Sequence, residues 1–369
     1  MPPKRLTRRS GSQPTQPAVI ATPRAAGTSD KPPSQIVCPQ TGWATHKLVL
    51  SMTVMMLQYQ ITSQMDTQIW LNHYKGDFAA MARTTSMMMS VLMTGGFFVT
   101  PLLGAISDCY GRKAQMIIPP FVNLLQRFVL IYTQDVRALF ASFVIGGTLA
   151  SAGMGGWQAA IADLHAGDSA ALASASSMIG VGPMLGGMLG PLVGGALGSR
   201  DIRLPYAVSA AVCVVACGLV ISVPETLPPS ARKPIVWRSA GNPLSFMVLF
   251  RNGVELATLT AMQVLSNLAQ GTYTFGELYR TELLGWGMTQ RGRYQSVSML
   301  LSLPGFAAVG PLLRACGSRS AVHLGLASHA LVYVFTALST RGWHFYAIPV
   351  LGTASMAASS AIVSAHTHR

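Results

Sequence analysis

The stretch GAISDCYGRK, residues 104–113, carries Gly104, Asp108, Gly111, Arg112 and Lys113 and stands between two apolar windows, 86–106 and 114–133. The first window holds no charged residue and the second only Arg127. Runs of that length and composition cross ~30 Å of hydrocarbon as helices. The segment between them therefore reads as a short turn joining two membrane spans. Gly111 allows a tight turn, and Gly104 lets two helices approach closely. Asp108 can pair with Arg112 and accept hydrogen bonds at a helix N-terminus, while Arg112 and Lys113 hold the turn in the cytosol.

Working outward, the same composition extends over most of the chain. Of 369 residues, 50% are hydrophobic and 10% charged, against ~25% charged in an ordinary soluble domain. Mean hydropathy is +0.41, which excludes a water-soluble globule. Ten apolar windows follow one another at roughly 48–65, 86–106, 114–133, 138–159, 171–197, 204–223, 253–275, 294–313, 320–339 and 343–363. Strands are excluded, because lipid-exposed backbone must be satisfied within a helix or a closed barrel and these runs lack the ten-residue alternation of barrel strands. The fold expected is an all-α polytopic membrane bundle of about ten transmembrane helices. The first window is the most polar, interrupted by Gln58, Gln60, Thr62, Ser63 and Gln64.

Residues 1–45 are rich in Pro, Ser, Thr and Arg and read as a disordered basic tail, with an organelle transit peptide as the alternative. Residues 46–223 form an N-terminal six-helix half, 224–251 a Pro-rich cytosolic linker opening with Pro224 and Glu225, and 252–369 a C-terminal half of about four helices. The formal charge is +14. Its Lys and Arg fall almost wholly between windows, where they act as topology signals rather than as a nucleic-acid surface. Sixteen of the 26 lie on the side of the tail and nine on the other, which places the tail in the cytosol. Cys38, Cys109, Cys213, Cys217 and Cys316 show neither a disulfide framework nor a metal-ligand spacing. No nucleotide-binding loop or nucleophile–base arrangement is present, so no cofactor, metal or enzymatic activity is expected.

The stretch 104–113 resembles the signature loop of the major facilitator superfamily of secondary transporters, in the loop where that family carries it. A weaker copy stands 206 residues further on, with Gly310, Gly317 and Arg319 at the same spacing and Arg314 in place of the acid. Internal duplication follows, and the resemblance implies two similar halves with the solute site between them. Gly190, Pro191, Gly194 and Gly195 form a G-P-x-x-G-G pattern similar to the glycine-proline motif of the antiporter branch, and Ile161, Ala162 and Asp163 resemble the segment before that helix in tetracycline-efflux-like members. Where the family's fourth helix usually carries an intramembrane Arg linked to proton coupling, this chain has Phe143. Asp66, Arg127 and Glu255 fall near window ends and Glu277 after the seventh, so charge within spans reads as scarce.

The resemblance implies a cavity lined by the first, fourth, seventh and tenth helices. In the seventh window Gln263, Asn267, Gln270 and Thr274, continued by Glu277, recur on one helical face, and such a stripe must face protein or water. Gln60 and Gln64 share a face of the first window with Thr53 and Thr67, and Trp157 and Gln158 lie late on the fourth. These are the candidate cavity residues. Twelve spans are the family norm, and the chain ends at Arg369 after ten, which reads either as a truncated gene model or as a reduced form. The function expected is secondary active transport of a small organic solute by an integral multi-pass membrane protein. Membrane lipid would surround it, a coupling ion would accompany it, and the proton is uncertain in that role. The alternative is a non-transporting receptor or remnant of the same fold.

Overall fold

The computed structural model describes residues 41–133, 135–166, 169–235, 247, 250, 253–254, 257–258, 260–261, 264–265 and 273–352. They all belong to one contact unit, residues 39–369. Eleven α-helices are delimited among them: α1 Thr41–Tyr74, α2 Phe78–Tyr110, α3 Arg112–Met116, α4 Ile118–Thr133, α5 Val136–Gly153, α6 Gly155–Leu164, α7 Ser169–Gly198, α8 Arg203–Ser222, α9 Tyr273–Leu284, α10 Met288–Leu338 and α11 Gly342–Leu351. The pairs α3/α4 and α5/α6 each run on as one span, Arg112–Thr133 and Val136–Leu164. With α2, α8 and Met178–Gly198 of α7, they are the five stretches of the described residues long and apolar enough to cross a membrane.

From α1 to α8 successive spans reverse direction, which gives the bundle a signature-loop end and a far end. At the far end the turns are short and capped by aspartates. Asp77 accepts from Ala80 N–H (3.0 Å) at the start of α2, and Asp135 and Asp201 accept from Arg137 and Arg203 N–H at the starts of α5 and α8. Helix α1 is longer than its apolar window at both ends. It begins at Thr41, inside the segment assigned to the tail, because Thr45 hydrogen-bonds His165 (3.0 Å) and Lys47 donates to Ser222 O (2.9 Å). It ends at Tyr74, which puts Asp66 two turns inside the helix rather than near its end.

In the N-terminal half α1 packs against α7 and α8, α4 lies between α5 and α8, and α2 covers α5. The core has three layers. Leu48, Met52, Met55, Met116, Trp157, Ile161 and Val220 fill the signature-loop end, and Met65, Trp70, Met81, Leu130, Leu139 and Tyr206 fill the far end. Between them lies a buried polar layer of Gln58, Thr62, Asn123, Arg127, Ser209 and the Cys213 thiol. The internal duplication is visible in the backbone. Gly111 has φ 112° and ψ 161°, and Gly317, at the equivalent place in α10, has φ 74° and ψ 161° and divides that helix into two helical segments. Only glycine adopts such angles without strain.

Candidate functional site: the signature-loop clasp and the seam between halves

Around the turn at Gly111 the structure builds an ion-pair cluster from four spans. Arg112 Nη1 lies 2.5 Å from Asp108 Oδ1, and Nε lies 2.7 Å from Asp163 Oδ2 at the end of α6. The guanidinium fork thus holds two carboxylates on separate helices, a geometry that a point-charge ammonium cannot reproduce. Glu225, just past α8, accepts from the backbone N–H of Arg112 (2.8 Å) and Lys113 (3.3 Å) and so caps α3 from another span. Lys113 Nζ donates to Ile221 O (2.8 Å), so together with Lys47 two ammonium groups sit on the terminal carbonyls of α8. Lys233 N–H donates to Asp108 O (3.0 Å), fastening the start of the linker to the same turn.

Two expectations are corrected here. Asp108 stands at the C-terminal end of α2, and the N-terminal capping expected of it falls to Glu225, because only that carboxylate reaches the free N–H groups of α3. Gly104 makes no close approach among the described residues, since a Cβ there would meet nothing within 4 Å. Sequence reasoning noticed Glu225 merely as the start of the linker. Its signal was a carboxylate flanked by prolines directly after a span.

The G-P-x-x-G-G residues lie where three helices meet. Gly182, Gly186, Gly190, Gly194 and Gly198 make one stripe of α7 against α1, and a Cβ at Gly186 would stand 2.8 Å from Leu57 N. Gly187 and Gly195 make a second stripe against α10, where a Cβ at Gly195 would stand 2.8 Å from Met288 O. Pro191 O presses on Gly292 of α10. Small residues at four-residue spacing let backbones approach this closely in lipid. Helix α7 is therefore the seam between the N-terminal half and α10, and it continues through Pro183 and Pro191.

Polar groups cross the same seam. Gln64 Nε2 donates to Gln295 Oε1 (2.6 Å), Arg291 Nη2 donates to Gln68 Oε1 (2.9 Å), and Thr289 Oγ1 donates to Gly195 O (3.3 Å). Arg291 Nη1 stands 3.6 Å from Glu277 Oε1. Behind it, Tyr206 donates to Asp66 (2.6 Å), and the buried Arg127 donates through Nε to Ser209 Oγ (3.2 Å), which itself donates to Gln58 O (2.7 Å). Charge within the bundle is thus not scarce. Window ends drawn from apolarity alone stopped short of Asp66 and Glu277, and Arg291 lay in the turn before the eighth window.

Of the candidate cavity residues, Gln64 lies in this seam, and Gln60 lies where α1 meets Gly187 and Gly190. Trp157 is a core residue rather than a lining one: it is fully buried and donates from Nε1 to Ser51 Oγ (2.8 Å) inside the N-terminal half. Gln158, its neighbour, is exposed. Gln263, Asn267 and Gln270, together with Glu255, lie outside the described residues, and Thr274 is placed only as a backbone position of α9. Phe143 packs against the far-end core.

Comparison with known proteins agrees with this architecture. Over 280 residues the chain is 27% identical to the class C tetracycline resistance protein of Escherichia coli, covering 73% of this chain and 68% of that protein. Over 161 residues it is 34% identical to major facilitator superfamily domain-containing protein 10 of Bos taurus, covering 42% of this chain and 34% of the relative. Among solved structures, the human organic anion transporter MFSD10 (TETRAN) superposes with a TM-score of 0.67 at 18% identity, over 89% of this chain and 86% of that one. With the family's sequence model matching residues 48–369, the chain is an integral multi-pass membrane protein that belongs to the Major Facilitator Superfamily.

Proposed function

We propose that this membrane transporter moves a small organic solute by alternating access, with the far end opening and closing at the α7–α10 seam. The observation that carries the reading is where the two halves touch. Hydrogen bonds between the halves at Gln64–Gln295, Gln68–Arg291, Gly195–Thr289 and Thr67–Glu277 lie toward the far end, and the signature-loop clasp is internal to the N-terminal half. Halves held together at the far end fit one of the two states that alternating access needs. Relatives named for tetracycline resistance and for organic anion transport favour an organic solute. The uncharged hydrogen-bonding groups of Gln60, Gln64, Gln263, Asn267 and Gln270 favour a polar or zwitterionic one.

Uptake of a panel of such solutes into proteoliposomes tests this, with Asn267→Leu as the diagnostic variant. Loss of a ligand hydrogen bond weakens affinity by ~0.5–1.5 kcal/mol, roughly two- to tenfold, for some solutes of the panel and not others. Unchanged selectivity with a lowered melting temperature removes Asn267 from the site, and absence of uptake of every solute removes the transport reading.

A further inference from the structure

At the signature-loop end two ammonium groups share one helix terminus. Lys47 Nζ of α1 donates to Ser222 O and Lys113 Nζ of α3 donates to Ile221 O, the last two residues of α8. A helix C-terminus carries roughly half a negative charge, which offsets only part of two positive ones. Among the described residues neither ammonium pairs with a carboxylate, because the acids of this end are committed elsewhere. Asp108 and Asp163 hold the Arg112 fork, and Glu225 accepts from the backbone N–H groups of Arg112, Lys113 and Leu227. Arg232 and Lys233 add two exposed basic side chains on the segment that returns to Asp108. The end of α8 therefore keeps an excess of positive charge.

The surface beside this charge is apolar and outward-facing. Ile221 is 65% exposed, and toward the far end Val214 and Val215 of α8 and Leu50 of α1, three residues on from Lys47, are exposed as well. Trp43, at the start of α1, is 62% exposed, and its ring centroid lies 3.8 Å from Lys47 Nζ. Tryptophan collects where acyl chains give way to headgroups, since indole is apolar with one polar tip, and lysine lays its stem along apolar surface while its ammonium stays at the polar level. In a chain that spans the membrane, the outward face of α8 thus meets acyl chains and its charged end meets headgroups.

We propose that the end of α8, flanked by Lys47 and Lys113, binds an anionic glycerophospholipid, with its phosphate between the two ammonium groups and its acyl chains along Val214, Val215 and Leu50. A phosphodiester supplies the missing negative charge and acceptor oxygens for the ammonium donors that α8 leaves unused. Charge alone would admit a soluble phosphate, but the exposed apolar strip adds burial only for a molecule that carries acyl chains. A zwitterionic lipid brings its own ammonium to the same place and gains less there. The two lysines come from α1 and α3 and the carbonyls from α8, so the bound lipid ties three spans together. Binding the folded N-terminal half in preference to the unfolded chain, it raises stability by mass action.

The test needs no solute and is independent of the transport reading. Melting of the full chain in detergent is followed while phosphatidylglycerol, or phosphatidylcholine with the same acyl chains, is added. Phosphatidylglycerol should raise the melting temperature at the lower concentration. Lys47→Gln and Lys113→Gln remove a charge and leave a donor, and each should raise the half-saturating phosphatidylglycerol concentration about fivefold, with roughly a 25-fold rise for the double variant. Arginine at both positions should restore the wild-type value, and Arg137→Gln, at an exposed far-end position, should leave it unchanged. Lysines that only cap α8 would instead lower the melting temperature equally in both lipids, with half-saturation unmoved, and that result overturns the proposal. So does equal protection by the two lipids, equal protection by soluble glycerol 3-phosphate, or an Arg137→Gln effect as large as that of Lys47→Gln. Should the double variant fail to fold, quenching in nanodiscs decides: spin-labelled phosphatidylglycerol should quench the emission that Trp43→Phe removes more than spin-labelled phosphatidylcholine does at equal mole fraction, and equal quenching overturns the site.

Discussion

At the residue scale, Gly111 and Arg112 show why adjacent positions in one turn tolerate different changes. A side chain at Gly111 would adopt a left-handed backbone conformation and drive its Cβ into the Glu225 carboxylate. Gly111→Val therefore combines backbone strain of ~1–3 kcal/mol with loss of the trans cap. It should lower melting temperature and uptake in reconstituted vesicles much more than membrane-inserted yield. Glu225→Gln keeps the shape and removes only the charge at the helix N-terminus, so its cost should be the smaller of the two. For Arg112 the decisive property is the fork. Arg112→Lys retains the charge but cannot hold Asp108 and Asp163 together, and a double-mutant cycle between Arg112→Lys and Asp163→Asn should show a coupling of ~0.5–3 kcal/mol in unfolding free energy. A coupling indistinguishable from zero would falsify the bridging role.

At the scale of the element, α7 carries two glycine stripes that serve different partners, and substitutions on them should separate accordingly. A methyl at Gly186 meets the backbone of α1 within the N-terminal half, so Gly186→Ala should destabilise that half by ~1–3 kcal/mol through overpacking. A methyl at Gly195 meets Met288 O across the seam. Gly195→Ala should leave the N-terminal half intact and push the far end apart, raising the labelling rate of a cysteine placed at Thr289. Equal melting temperatures and equal labelling for the two variants would show that the stripes are not distinct. The two helix-breaking prolines do not interrupt α7, because neighbouring helices and local adjustments re-satisfy backbone freed by proline in a bundle.

For the whole molecule, orientation and loop placement are linked. The clasp gathers Arg112, Lys113, Lys47 and Lys233 at one end, the end at which α1 begins. We predict that this end faces the cytosol. In sealed vesicles of known orientation, a protease site placed in the tail and one placed at exposed Ser230 should be cut from the same side. A site at Gly76, in the far-end turn, should be cut from the other. Cleavage of tail and Gly76 from one side would reverse the assignment. That end holds the Asp108–Arg112–Asp163 cluster, whereas the seam at the far end combines close glycine contacts with the Gln64–Gln295 and Arg291–Gln68 hydrogen bonds.

Much of this was legible from local chemistry. Charge-free windows of about 20 residues imply spanning helices, because lipid offers no partner to unpaired backbone. The spacing from Gly104 to Lys113 implied a tight basic turn, and its echo at Gly317 implied a duplicated architecture, since positive φ at both glycines is a property of the local chain. What tertiary structure alone decided was the pairing of residues distant in sequence. Glu225 caps a helix that begins 113 residues earlier, and Arg291 reaches Gln68 across 223 residues. Hydropathy could not find Asp66 or Glu277 as interior groups, because an ionised side chain ends an apolar window whether or not the helix continues past it. Trp157 was likewise ambiguous, since a tryptophan late on a span can line a cavity or fill a core. Its full burial, with Ser51 within hydrogen-bond reach of its ring nitrogen, assigned it to the core.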